Sequence, residues 1–134
     1  MKSGENITKL DAWGYAAKTV GGDAQSFLGA TQNMTSELAK FQVGLGGQQV
    51  AQTFARLGYQ AKDGKINLLD LADSIKKVKE AQGDLVAKSL AESLGFDENG
   101  YILLTKSRGE LEKLLDVGEK MSGVNDRTSS LGQL

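Results

Sequence analysis

An all-α fold, a compact domain of about six to seven short helices, is what this sequence predicts on three observations. Apolar residues recur at helical spacing, the recurrences stop at glycine, and no stretch alternates convincingly as a strand would. Proline is absent while Gly occurs 17 times, so glycine does the punctuating. It suits the task because the residue after a helix often takes left-handed dihedrals, which cost Gly no Cβ clash.

The first helix is expected from about Thr8 to Val20, with Thr8 as N-cap, Asp11 three residues on, and Leu10, Trp13, Ala17 and Val20 as its apolar stripe. Gly21-Gly22 ends it. Asp23 caps a second, longer segment carrying Phe27, Met34, Leu38, Phe41 and Leu45 as far as Gly46-Gly47, with Gly29 and Gly44 as weak points. A third, short helix covers Gln48 to Leu57 through Val50, Phe54 and Leu57, and Gly58 follows as its C′ residue. Lys62-Asp63-Gly64-Lys65 reads as a turn. Asn67 then caps the clearest amphipathic helix, with Leu68, Leu71, Ala72, Ile75 and Val78 on one face. Acids in its early turns (Asp70, Asp73) and bases in its late ones (Lys76, Lys77, Lys79) suit the helix dipole.

Gly83-Asp84 starts a helix expected to bury Val86, Leu90 and Leu94 before stopping at Gly95. Asp97 caps a shorter segment with Tyr101, Ile102, Leu103 and Leu104; with no second strand to pair with, a short helix is preferred to a strand. Ser107 and Glu110 have capping-box spacing and open a last helix through Leu111, Leu114, Leu115, Gly118 and Met121 to Gly123. The expected organisation is a disordered or cloning-derived start over residues 1–7, one helical domain over 8–123, and a linker or frayed end over 124–134. Trp13, Phe54, Leu71, Ile75, Leu90 and Leu114 should be buried.

Composition removes whole classes of function. The 134 residues include no Cys and no His, which excludes disulfides, thiolate nucleophiles, imidazole bases, the usual zinc sites and the Ser-His-Asp triad. A net charge of −1, from 16 basic and 17 acidic residues without a block of either sign, predicts no steering to nucleic acid or anionic membrane. No apolar run approaches the roughly 18 residues of a membrane span, and the polar opening is unlike a signal peptide, so a soluble, intracellular protein is expected.

Four local motifs have a functional reading to weigh against a structural one. Asp63-Gly64-Lys65-Ile66-Asn67-Leu68-Leu69-Asp70 is like the second half of a calcium loop, but Tyr59 and Ala61 occupy the first two ligand positions, so a turn and an N-cap are expected instead. Asp97-Glu98-Asn99-Gly100 fails the same test and reads as a helix cap. Glu92-Ser93 followed by Phe96 is loosely like the acid motif of lytic transglycosylases, in which an apolar pocket raises one carboxyl pKa; here Glu92 falls on the polar side of its helix and is expected to be solvated. Gly44-Leu45-Gly46-Gly47 lacks the preceding strand and the Gly-Lys-Ser/Thr of a phosphate loop. Lys76, Lys77, Lys79 and Arg127, with no interleaved aromatics, are expected on a solvated face, and Phe27, Phe41, Phe54 and Trp13 in the core. No catalytic, cofactor-binding or metal-binding residue is therefore assigned.

Taken in order, Leu10-Asp11-Ala12-Trp13-Gly14-Tyr15-Ala16-Ala17, Gly21-Gly22 and Phe54-Ala55-Arg56-Leu57-Gly58 resemble a block of the tail tape-measure proteins of long-tailed bacteriophages. Asp63-Gly64-Lys65, Leu69-Asp70-Leu71-Ala72-Asp73, Ser93-Leu94-Gly95-Phe96-Asp97-Glu98, Leu103-Leu104 and Arg108-Gly109-Glu110-Leu111 continue the similarity, which covers about residues 10 to 121. Thr105-Lys106-Ser107 departs from it, where a tighter Leu-Leu-x-x-Gly link is expected. The resemblance implies a folded piece of a much longer chain with a structural role in tail assembly and length determination, and no catalysis. It implies tube subunits, tail chaperones and further copies of itself as partners, with no sequence-specific nucleic acid and no membrane for this part. The implied location is the host cytoplasm during assembly and then the virion tail. The alternatives are a peptidoglycan-cleaving domain using Glu92 and a small helical adaptor.

Overall fold

The computed structural model describes the backbone of residues 2–62 and 65–133 and the side chains of residues 10–62 and 65–121. Seven helices follow one another: α1 (Lys2–Thr19), α2 (Ala24–Gln42), α3 (Gln48–Leu57), α4 (Leu68–Gln82), α5 (Asp84–Ser93), α6 (Glu98–Leu104) and α7 (Arg108–Gln133). Among the described residues there is no strand, only an isolated antiparallel bridge between Lys62 and Lys65 that closes the turn between α3 and α4. The all-α expectation holds. Asp63 and Gly64 themselves, and the side chains of residues 2–9 and 122–133, lie outside the described residues.

The caps fall where short polar side chains can meet orphan amides. Asp23 accepts from Ser26 N at 3.1 Å, Asn67 from Leu69 N at 3.0 Å and Asp70 N at 3.2 Å, and Asp97 from Gly100 N at 2.8 Å. Ser107 Oγ takes Glu110 N at 3.2 Å and donates to the Glu110 carboxylate at 3.4 Å. The helix ends are as regular. Four of them close with paired backbone bonds of the Schellman kind around a glycine at positive φ: Gly21, Gly44, Gly58 and Gly95.

Two boundaries depart from the sequence expectation. α1 begins at Lys2, so Thr8 lies inside it rather than at its start; α7 passes Gly123 and continues to Gln133. Residues 2–7 and 124–133 are helical in backbone. An interior glycine costs a helix only about 1 kcal/mol, so glycine alone does not stop one. Gly29 likewise leaves α2 unbroken.

The core is continuous. Trp13 stacks on Phe27 with ring centroids 5.7 Å apart, and Phe27 meets Phe96 at 5.2 Å, joining α1, α2 and the α5–α6 link. Leu71, Ile75, Leu94, Leu103, Leu104 and Leu111 are fully buried around them, and Phe54 and Leu90 are buried too. Leu114 is only partly buried, as are Leu115 and Val20. Three expected core residues are not in the core: Phe41 (46% exposed), Leu45 (78%) and Val86 (38%). Leu45 lies beyond the end of α2, where the helical period no longer fixes which way a side chain points, and Phe41 lies in its last turn. α1 and α7 pack closest at Ala12 and Gly118, where a Cβ on the glycine would lie 2.8 Å from Ala12 Cα.

Candidate functional site

One cleft of about 760 Å³ among the described residues is lined from α1, α2, the α3–α4 link, the start of α4 and α7. Leu10 and Trp13 contribute from α1, Ile66 and Leu69 from the start of α4, and Leu115 from α7, which makes the floor apolar. Exposed Lys62 and Lys65 and the acids Asp70 and Glu119 belong to the same lining. Three hydroxyls of the lining are bonded to the backbone. Thr31 Oγ1 donates to Phe27 O at 3.1 Å, Thr35 Oγ1 to Thr31 O at 2.9 Å, and the Tyr59 hydroxyl accepts from Asn67 N at 2.7 Å. Burial raises the Tyr59 pKa; the bond to the Asn67 backbone works the other way and the nearby Asp70 charge adds to the rise. This neutral phenol is a strut holding the link onto α4.

The second charged assembly joins α4 to the start of α7. The Arg108 guanidinium reaches Asp70 at 3.4 Å and makes a short hydrogen bond to Asp73, while Lys76 Nζ lies 3.3 Å from Asp73 and donates to Lys106 O at 2.9 Å. Burial pushes the Asp73 carboxyl upward, but hydrogen bonds from Arg108 and Lys76 outweigh it and hold it below the ordinary carboxylate range. Neither the sequence periods nor the motifs pointed to this bridge, because Asp70 and Arg108 are 38 residues apart and only the fold brings them together.

The residues singled out in the sequence do not converge. Glu92 is exposed on α5; Ser93 Oγ donates to Ser89 O at 3.1 Å; Phe96 is buried against Phe27, so it makes no apolar wall around the carboxyl. Asn67 is spent on its cap and Asp70 on Arg108, while Asp63 lies outside the described residues. Among the described residues no three His, Cys, Asp or Glu side chains gather as metal ligands would. In the second acidic motif Asp97 caps α6, Glu98 pairs with Lys88 at 3.2 Å, and Asn99 Nδ2 donates to Gly21 O at 3.4 Å. Lys79 lies 3.9 Å from Asp84, Lys77 is exposed, and the Arg127 side chain lies outside the described residues. Gly44 to Gly47 form the corner between α2 and α3. Among the described residues no helix is long and apolar enough to cross a membrane.

What the periods missed is exposed apolar surface: Phe41, Val43 and Leu45 at the α2–α3 corner, Leu85 and Val86 at the start of α5, and Val117 and Met121 on α7. Compared with protein-family models, with curated proteins and with solved structures, the chain gives no match.

Proposed function

We propose that this chain is a helical structural and interaction domain of a phage or prophage tail tape-measure protein, acting in tail assembly and length determination. One observation carries the reading beyond the ordered sequence resemblance. Pieces of that resemblance far apart in the chain meet in space: Trp13 and Phe96 both pack on the Phe27 ring, and Arg108 bridges Asp70 and Asp73. The similar residues therefore maintain one folded unit rather than line a reaction site, which suits a protein whose work is contact. Its partners in this reading are tube subunits, tail chaperones and further copies of itself, in the host cytoplasm and then in the virion tail.

The test is an in-frame deletion of these codons from a longer reading frame flanked by tail genes. If the segment spans the tail lumen as continuous helix, removing 134 residues shortens the tail by roughly 200 Å at 1.5 Å per residue. A segment needed for assembly in folded form abolishes tails instead. Infectious particles with tails of unchanged length would reject the proposal.

A further inference from the structure

Of the chain's five asparagines only Asn99 is followed by glycine. That pair is chemically labile in water. The backbone nitrogen of the following residue can attack the side-chain carbonyl carbon of asparagine, and glycine, with no Cβ, leaves that nitrogen unshielded. A bond forms between Gly100 N and Asn99 Cγ, Nδ2 leaves as ammonia with the proton that the Gly100 amide gives up, and a five-membered succinimide remains. Water then opens the ring at either carbonyl. The product is aspartate, or an isoaspartate whose main chain runs on through Cγ. One water enters and one ammonia leaves, with no oxidant and no cofactor.

The fold opposes each part of this step. Gly100 N donates to Asp97 Oδ1 at 2.8 Å, a bond that retains the proton the attack must shed. Asn99 Nδ2 donates to Gly21 O at 3.4 Å, and the side chain is seated on the α1–α2 link so closely that a Cβ on Gly22 would lie 3.1 Å from Asn99 Cβ. Both residues belong to α6, where a helical ψ of roughly −42° turns the next nitrogen well out of the plane in which a five-membered ring closes. Ring closure therefore needs this turn of α6 to open first.

We propose that Asn99–Gly100 is a gated deamidation site, closed while Asp97 caps α6 and Asn99 is docked on Gly21, reactive whenever that turn lifts, and irreversible once used. Isoaspartate inserts a methylene into the main chain beside buried Gly100, where even a Cβ would stand 3.2 Å from Phe96 Cβ. A carboxylate at Asn99 can no longer donate to Gly21 O. The reacted chain cannot rebuild this turn, and Phe96, packed on Phe27 with ring centroids 5.2 Å apart, loses its neighbour. The pair is a one-way timer of local opening, and it holds or fails independently of the tape-measure reading.

The whole chain, kept in mildly alkaline buffer, is sampled over time by peptide mapping. Mass spectrometry reads the exchange of NH2 for OH at Asn99, and enzymatic methylation counts isoaspartate. Folded wild type should react more than about tenfold more slowly than the same chain unfolded in urea, because only the open fraction reacts. Asp97→Ala should speed the folded-state reaction roughly 2- to 30-fold, the factor by which losing an N-cap raises local opening. Asn67→Ala removes a cap of the same kind from α4 and should leave the Asn99 rate near wild type. Circular dichroism verifies that each variant folds. Folded wild type reacting as fast as the chain in urea would overturn the proposal. So would an Asp97→Ala rate at or below wild type, with the carboxylate then assisting rather than gating, or equal acceleration by Asn67→Ala, with opening then global. A purified isoaspartate form that melts at the same temperature as the parent would overturn it as well.

Discussion

Replacing Gly118 by alanine sets two known effects against each other on one helix. Alanine is the better helix former by about 1 kcal/mol, so in open surroundings the change stabilises. The surroundings of Gly118 are closed. A Cβ there would lie 2.8 Å from Ala12 Cα, 3.0 Å from Ala12 O and 3.1 Å from Ala12 Cβ. Two of these atoms are backbone, so no rotamer change relieves the contact; α1 and α7 must separate by several tenths of an ångström. Overpacking of this kind costs roughly 1–3 kcal/mol, which cancels or exceeds the propensity gain. Gly29 is the internal standard: it lies in the middle of α2 with nothing within 4 Å of an added Cβ. Urea unfolding followed by circular dichroism should then show Gly29→Ala more stable than the parent by up to about 1 kcal/mol, and Gly118→Ala less stable than Gly29→Ala by roughly 1–3 kcal/mol. Ala12→Gly added to Gly118→Ala should give little rescue, because it removes only the farthest of the three atoms. Equal stabilisation by the two alanines would refute the close packing of α1 on α7.

Leu71→Ala and Ile75→Ala, at fully buried positions, should each cost roughly 2–5 kcal/mol in the same assay, whereas Phe41→Ala should cost far less because that ring is already 46% exposed. Tyr101 is held protonated up to about 12 by burial and then by its 2.6 Å hydrogen bond to Asp84. A raised pKa gives stability that is complete below the ordinary tyrosine value near 10 and is lost as pH climbs from there toward 12, so Tyr101→Phe should flatten the alkaline limb of a stability–pH curve. Burial raises the Tyr59 pKa as well, so Tyr59→Phe on top of Tyr101→Phe should flatten it further. Calcium at about 1 mM should leave the melting temperature unchanged, since Asn67 is engaged by two amides and Asp70 by Arg108; a rise of several degrees that Asp63→Ala abolishes would show a site in that turn. A muropeptide-release assay should show no activity attributable to Glu92, which stands exposed without an apolar wall; release that disappears in Glu92→Gln would make the chain an enzyme.

The helices were legible because each carries its own signals. Asp23, Asn67, Asp97 and Ser107 are short side chains that can reach amides two or three residues on, and Leu68, Leu71, Ala72, Ile75 and Val78 lie on one face whatever else the chain does. Information of that kind is local. The Arg108 bridge to Asp70 and Asp73, the Lys76 bond to Lys106 O and the Ala12–Gly118 approach depend on which helix lies beside which, and no spacing along the chain encodes that.

Leu45 shows a different reason for misreading. Its spacing continues the α2 period from Met34, Leu38 and Phe41, but a period predicts a face only while the helix lasts, and α2 ends at Gln42 with Val43 as its C-cap. Gly44 ends its helix as Gly21 and Gly58 end theirs, and the apolar repeat runs on past it. Stop signals should therefore outrank periodicity wherever the two conflict. An apolar residue beyond the stop needs its own account of what it packs against: Tyr59 and Phe96 find the core, and Leu45 does not.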